Sequence, residues 1–170
     1  MTTTDYLIDS ALVLLILLQI KERPLTTRTL VRPLVIVAIA VVSYLHGIPT
    51  AGNDLVLVGL LATLGAIIGI ASGQAVLMRR GPDGQVLARS GWASGCFWVL
   101  GMGSRFAFIY WITHSGASTI ASFSAHHSIT SGEAWTVGLL AMAVLEVAGR
   151  SLVQAVRRNQ LQAPAAAELA

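Results

Sequence analysis

Arg105 is the residue of this chain whose position most narrowly limits its chemistry. It lies in the middle of the apolar run from Trp92 to Thr113. An arginine side chain keeps its charge, and placing it in hydrocarbon costs roughly 3 to 10 kcal/mol. We therefore expect Arg105 to face protein or water and to have a partner. Such a residue has two possible roles. It can fix the helix register as part of a buried ion pair, or it can have a function, by binding an anionic ligand or by taking part in a proton or ion pathway.

Two carboxylates are candidate partners of Arg105, namely Glu146 in the last apolar segment and Asp9 in the first. Counted from His114 and Glu133 at the outer helix ends, the depths of Arg105 and Glu146 differ by about 6 Å at the usual helical rise. A long arginine side chain spans that offset. Asp9 lies nearer the outer surface. Glu146 is the favoured partner because it too is deep and needs a counter-charge.

Helical spacing places further residues on the same helix faces as Arg105 and Glu146. Residues three or four positions apart lie on one side of a helix, which places Gly91, Gly95, Trp98 and Met102 beside Arg105. The same spacing places Trp135 on the face of Glu146. We therefore include Trp98 and Trp135 in the candidate ligand-binding or ion-pair site. Gly91 and Gly95 are predicted to serve close helix packing.

Glycines also recur in the third apolar segment, at Gly65, Gly69 and Gly73. Glycines four positions apart lie on one face and allow a second helix backbone to approach closely. We expect this helix to be central in a bundle or to form a dimer face. A glycine hinge or a substrate groove is the functional alternative.

All four histidines, His46, His114, His126 and His127, map to the outer side. Neutral imidazole is a common metal ligand, and catalytic zinc commonly takes three protein ligands. A copper, zinc or haem site in a membrane enzyme or metalloprotein is therefore an alternative. No HxxxH or HExxH spacing occurs, so hydrated interfacial histidines are the simpler interpretation and no cofactor is favoured. Nucleophile-elbow, Walker and Rossmann motifs are absent from the sequence.

The composition indicates an integral membrane protein, with the lipid bilayer as its first partner. Hydrophobic residues make up 55% of the 170 residues and charged residues 11%, against about 25% charged in soluble domains. The net charge of +3 does not suggest nucleic acid, because the basic residues cluster beside apolar segments. The single cysteine, Cys96, excludes an intramolecular disulfide and a CxxC redox pair.

Five apolar segments approach the length that a membrane-spanning helix needs. They are Tyr6 to Ile20, Leu30 to Leu45, Asp54 to Met78, Trp92 to Thr113 and Ala134 to Val153. Because backbone groups in lipid must be satisfied within the segment, we predict an all-α bundle of five helices, a single domain over residues 1–158. The Ala-rich tail over residues 159–170 is expected to be disordered. A homo-oligomer, most simply a dimer, is expected because five short helices enclose little volume.

The distribution of Lys and Arg between the loops predicts the orientation. The first and third loops and the C-terminal end are basic, whereas the second and fourth loops contain no Lys or Arg. The positive-inside rule then places the N-terminus outside and the C-terminus inside the cell membrane. In the third loop, GPDG indicates a tight turn. Pro33 is expected in the first turn of the second helix, and Ile120 and Phe123 in a short surface helix.

The order of these features resembles the CcdC-like group of small bacterial multispanning membrane proteins. The resemblance rests on Ile20-Lys21-x-Arg23-Pro24, Arg32-Pro33, the glycine-rich third segment and Gly101-x-x-x-Arg105, over roughly residues 15 to 110. It implies an association with cytochrome c maturation and assigns no catalytic residues. Direct thiol exchange does not fit a chain without a cysteine pair.

The sequence thus favours a non-enzymatic transport or ligand-binding protein whose cavity is organised around Arg105. A membrane enzyme or metalloprotein that uses the outer histidines is one alternative. An assembly-factor subunit with a membrane protein partner, which the CcdC-like resemblance favours, is the other.

Overall fold

The computed structural model describes residues 23–44, 47 and 49–162, and the fold is mostly helical. In chain order the elements are β1 (Arg23–Pro24), α1 (Thr27–Tyr44), α2 (Asp54–Gln74), β2 (Val76–Arg80), β3 (Val86–Ser90), α3 (Trp92–Trp111), a π-helical turn (Ile112–Gly116), α4 (Ala117–His126) and α5 (Gly132–Gln162). The first predicted segment, Tyr6 to Ile20, lies outside the described residues.

Among the described residues, three helical runs are long and apolar enough to cross a membrane, namely α2, the run Trp92–His126 and α5. They correspond to the third, fourth and fifth predicted segments, and α1 corresponds to the second. The run Trp92–His126 is continuous because the chain passes through the π-helical turn instead of entering a loop after Thr113. The short helix predicted around Ile120 and Phe123 is present as α4, but it extends the preceding helix.

Two helix boundaries differ from the prediction. Pro33 lies inside α1 and not in its first turn, because the helix already begins at Thr27. At this start, the Thr29 hydroxyl donates a hydrogen bond to the Thr26 carbonyl (2.6 Å). α5 ends at Gln162, so it continues past residue 158 into the predicted tail. The Arg158 guanidinium donates a hydrogen bond to the Thr27 hydroxyl (3.1 Å), which fixes this extension against α1.

The predicted all-α fold is wrong at one end of the bundle, where a small antiparallel sheet has the strand order β1–β3–β2. α2 ends at Gln74 and not at Met78, because the chain turns into the β2–β3 hairpin. Val76 and Val86 are each 2% exposed, and their burial anchors the sheet to the helices. The GPDG turn closes the hairpin with Gly84 at φ +71°, which is the left-handed region that glycine adopts easily.

α2 and α5 pack backbone to backbone along the predicted glycine stripe. A Cβ atom on Gly65 would overlap the Met142 carbonyl group, and one on Gly69 would overlap the Glu146 carbonyl group. At Gly73 it would lie 2.9 Å from the Cβ of Val153. The prediction of tight packing at these three glycines is therefore confirmed, within one chain and against α5.

The packing predicted at Gly91 and Gly95 has no counterpart among the described residues and stays a prediction. A Cβ atom on Gly95 would meet nothing within 4 Å among the described residues, and one on Gly91 would meet only the Leu77 side chain, at 3.6 Å. Gly91 is the N-cap of α3 and precedes its first turn. The inward face of α3 instead contains Ser94 and Gly101, which are both buried.

Candidate functional site

The two charges that the sequence places deep in the apolar segments form an ion pair. Arg105 on α3 donates a hydrogen bond from Nη2 to Oε2 of Glu146 on α5. The side chains of Arg105 and Glu146 are 15% and 11% exposed, so both charges are largely buried inside the bundle. The structure thus brings together the two residues that their predicted depths favoured. Asp9, the other candidate partner, lies outside the described residues.

Two glycines make room for the Glu146 side chain. Gly69 on α2 lies against the Glu146 backbone, and a Cβ atom on Gly101 of α3 would overlap the Glu146 carboxylate. Gly101 lies about one helical turn before Arg105, so carboxylate and guanidinium meet on one face of α3. The Gly101-x-x-x-Arg105 spacing therefore forms a seat for a carboxylate.

The hydrogen bonding of Arg105 is incomplete. Besides Glu146, the guanidinium contacts the sulfur of Met102, with Nη1 to Sδ at 3.9 Å. Its Nε is buried and has no hydrogen-bond partner among the described residues. A guanidinium has five N–H donors, so Glu146 does not saturate this one. Part of the hydrogen-bonding capacity of Arg105 is therefore unused among the described residues.

A second arginine acts on the same carboxylate. Arg150 lies one turn beyond Glu146 on α5, and its charge interacts electrostatically with Glu146. The Arg150 guanidinium donates from Nη2 to the Ser90 hydroxyl at 3.5 Å, a distance at the long limit for a hydrogen bond. Together the three side chains carry one net positive charge within the bundle.

The two predicted tryptophans take different places. Of Trp98 the structure describes only the backbone position, in α3. Trp135 on α5 packs against Phe108 and Phe123, with ring centroids 5.3 and 6.0 Å away, and its Nε1 donates to the Ser124 hydroxyl (3.1 Å). Trp135 therefore fastens α3 and α4 to the start of α5, and its indole N–H is already used.

The described histidines are engaged locally and form no metal centre. His114 stacks on Tyr110 and His127 on Phe123, each with ring centroids 4.1 Å apart. The Nδ1 atoms lie 2.9 and 3.0 Å from the carbonyl oxygens of those same aromatic residues. His126 lies edge-on to His127. No group of three or more His, Cys, Asp or Glu that could hold a metal occurs in the described part of the chain; His46 lies outside it.

Sequence reasoning missed a buried carboxylate at the start of α2. Asp54 is 0% exposed and accepts hydrogen bonds from the Thr130 amide (2.7 Å), the Thr130 hydroxyl (2.8 Å) and the Ser131 hydroxyl (3.2 Å). Beside it, the Asn53 amide donates to the His127 carbonyl (3.0 Å). This clamp joins the start of α2 to the start of α5. Its only sequence signal was an acidic residue at a helix N-terminus, where a negative charge is favourable.

Comparison of the chain with family models, curated proteins and solved structures finds no match. The resemblance to the CcdC-like group therefore stays a prediction, as do the homo-oligomer and the membrane protein partner.

Proposed function

We propose that this chain is a small multi-pass protein of the cell membrane that binds an anionic ligand at Arg105, or carries it across the bilayer. The observation that supports this most directly is the buried Nε of Arg105, which has no acceptor among the described residues. A buried donor without a partner costs about 1–3 kcal/mol. A ligand carboxylate offers the missing acceptor and the charge that an arginine binds best.

The exposure of α3 favours a ligand over a purely structural ion pair. Met102 and Phe106, which flank Arg105 on α3, are 41% and 69% exposed. Arg105 keeps a partly exposed side chain on this helix, and the ligand is proposed to approach it there, away from the contact between α2 and α5. A pair that only fixes helix register needs no such access and is better stabilised when fully saturated.

We further propose five spanning helices, with the N-terminus outside and the C-terminus inside. The arginines near the end of α5 support this orientation. Arg157 donates to the carbonyl oxygens of Gly73, Gln74 and Val76 at distances of 3.1, 2.9 and 2.8 Å, and Arg158 contacts the start of α1. Basic residues of α5 thus meet the hairpin and the start of α1 at one end of the bundle, which the positive-inside rule makes cytoplasmic.

Substitution of Arg105 tests the proposed function. Arg105→Gln removes the charge, and Arg105→Lys keeps a charge that can still pair with Glu146 but loses the planar guanidinium. We expect both variants to bind carboxylates at least about tenfold more weakly, which corresponds to about 1.4 kcal/mol. The measurements are thermal unfolding of the full-length protein in detergent with a panel of mono- and dicarboxylates, and uptake of the same compounds by proteoliposomes.

Arg89→Gln on the exposed side of β3 is the matched control, since it makes the same chemical change away from the pair. Circular dichroism and gel filtration establish that each variant is folded. The proposal is wrong if folded Arg105→Gln binds and transports carboxylates like the unmodified protein, or if the unmodified protein responds to no member of the panel.

A further inference from the structure

We propose a second site, for a phosphate-type oxyanion, at the first turn of α3 between α2 and α5. Its donors are the Arg150 guanidinium and the hydroxyl groups of Ser72 and Ser94. This site goes beyond the carboxylate ligand proposed at Arg105 and does not depend on it. Three separate observations on the described residues lead to it: two buried hydroxyls without partners there, an arginine charge that no carboxylate among them contacts, and a helix N-terminus that none of their side chains caps.

The two hydroxyl groups are the first observation. Ser72 on α2 and Ser94 on α3 are each 1% exposed, and neither hydroxyl has a hydrogen-bond partner among the described residues. Buried polar side chains in native proteins are nearly always partnered. Two such hydroxyls on neighbouring helices therefore indicate a missing acceptor.

The hairpin register places these hydroxyls at one level. Val76 of β2 pairs with Ser90 of β3. Ser72 lies about one helical turn before Val76 and Ser94 about one turn after Ser90, while the hairpin makes α2 and α3 antiparallel. The two serines thus lie at similar distances from the hairpin, and their burial places them on the inward sides of their helices.

The Arg150 charge is the second observation. A Cβ atom on Gly73, next to Ser72, would lie 3.1 Å from the Arg150 carbonyl oxygen, so Arg150 is at the level of the serines. Its guanidinium reaches Ser90, directly before α3. Glu146 is paired with Arg105, and no other ion pair involves Arg150 in the described part of the chain. Arg150 therefore shares the nearby Glu146 carboxylate with a second arginine, and a further anion would balance the remaining positive charge.

The start of α3 is the third observation. Its N-cap is Gly91, and no side chain caps the helix there. The first N–H groups of a helix have no partner within the helix and carry the positive end of its dipole, which makes them a ready anion site. Ser94, with its buried free hydroxyl, belongs to this first turn.

The chemistry of these groups selects the ligand class. A guanidinium, backbone N–H groups and two hydroxyls approach from three helices and can all donate. A tetrahedral phosphate group presents acceptor oxygens in several directions and carries charge that arginine binds well, whereas a carboxylate presents two oxygens in one plane. The phosphate group can come from a free phosphate compound or from a phospholipid headgroup, because the site lies at the end of the bundle where the spanning helices finish.

The experiment uses the purified full-length protein and inorganic phosphate as the probe. Thermal unfolding in detergent is followed against phosphate concentration, and phosphorus analysis measures phospholipid that stays bound after delipidation. The variants are the double substitution Ser72→Ala with Ser94→Ala, and Arg150→Gln. Ser122→Ala, at an exposed serine of α4, is the matched control, and Arg105→Gln separates this site from the carboxylate site.

For a free phosphate ligand we expect phosphate to raise the unfolding temperature of the unmodified protein, of Ser122→Ala and of Arg105→Gln. The serine double variant and Arg150→Gln should weaken its Kd at least tenfold. For a headgroup ligand we expect bound phospholipid that only these two variants lose. Because the hydroxyls replaced have no partners in the described chain, the serine double variant should unfold at no lower temperature than the unmodified protein when phosphate and lipid are absent.

Three results would overturn the proposal. The first is a protein that binds neither phosphate nor phospholipid. The second is a serine double variant that binds them like Ser122→Ala. The third is a serine double variant that is destabilised without any ligand, since the hydroxyls would then serve the fold. Retained phosphate binding in Arg105→Gln, together with lost carboxylate binding, shows two independent sites.

Discussion

α2 and α3 both contact α5, but the two contacts have different chemistry. α2 meets α5 through glycines, so that Gly65 and Gly69 lie directly against the backbone of Met142 and Glu146. α3 meets α5 through one ion pair and an aromatic cluster around Trp135. The first contact has no space to change, whereas the second relies on long side chains that can take other rotamers.

The difference assigns a role to each helix. α2 and α5 form a fixed frame, held at one end by the Asp54 clamp and at the other by Arg157 on the last carbonyls of α2. α3 carries Arg105 and Ser94, two of the residues with a buried polar atom that lacks a partner among the described residues; Ser72 of α2 is another. The proposed binding groups of α3 can thus adjust, while the frame keeps Ser72, Glu146 and Arg150 in place beside them.

The largest expected effect comes from breaking the frame. In the double variant Gly65→Ala with Gly69→Ala, two methyl groups meet carbonyl groups of α5 that cannot move apart independently. Overpacking costs about 1–3 kcal/mol per site, so we expect a loss of about 5 kcal/mol, which equals the whole stability of a protein at the lower end of the usual range. Denaturant unfolding in detergent micelles measures it.

Gly95→Ala is the control for that prediction, because a Cβ atom there meets nothing within 4 Å among the described residues. Alanine also has a higher helix propensity than glycine, by about 1 kcal/mol, so this variant should be as stable as the unmodified protein or slightly more so. Equal stability of Gly95→Ala and the double variant would show that the frame is not fixed by close backbone contact.

The second effect comes from the ion pair that attaches α3. Glu146→Gln leaves the Arg105 charge without its carboxylate, and Arg105→Gln leaves the Glu146 charge in the same position. Removing one partner of a buried pair costs about 3–5 kcal/mol. Because both side chains keep some exposure, we expect about 3 kcal/mol for each single variant.

The double variant Arg105→Gln with Glu146→Gln tests whether the ion pair only attaches α3 to the frame of α2 and α5 or makes α3 part of that frame. Two glutamines can hydrogen-bond each other and remove both charges of the pair, while Arg150 loses the nearby Glu146 charge. We expect about half of the single-variant loss or less, which a double-mutant cycle measures. Additive losses would show that the two charges stabilise the bundle through other neighbours, and α3 would then belong to the frame.

The sequence identified the frame glycines and the ion pair because both depend on local rules. A four-residue glycine spacing and the depth of a charge along a helix can be read without tertiary structure. The hairpin could not be read in this way. β2 and β3 contain five residues each, and β2 directly follows an apolar helix, so its short alternation was hidden in a longer apolar run.

Gly91 and Gly95 show a second limit of the sequence. Their spacing from Arg105 is correct for one helical face, but that face is broad and only its centre touches the frame. Ser94 and Gly101 occupy the centre, and the rotation of α3 that selects them is set by the Gly101 contact with Glu146. The residue spacing identifies which residues of α3 share a helical face, but the packing against α5 determines which part of that face is buried.

Asp54 gives the smallest predicted effect and tests whether the ends of the frame act locally. Asp54→Asn replaces one carboxylate oxygen by an NH₂ group that faces the Thr130 or Ser131 donors, so at least one hydrogen bond is lost. We expect the free energy of unfolding to fall by about 1–3 kcal/mol and amide hydrogen exchange to become faster at Thr130 and the start of α5.

Asp83→Asn in the exposed hairpin turn is the control, and its free energy of unfolding should stay within about 0.5 kcal/mol of that of the unmodified protein. Because the hydrogen bonds of the Asp54 carboxylate among the described residues reach only Thr130 and Ser131, directly before α5, exchange in α3 should not change. Faster exchange throughout α3 would mean that α3 depends on the frame as much as the two frame helices depend on each other.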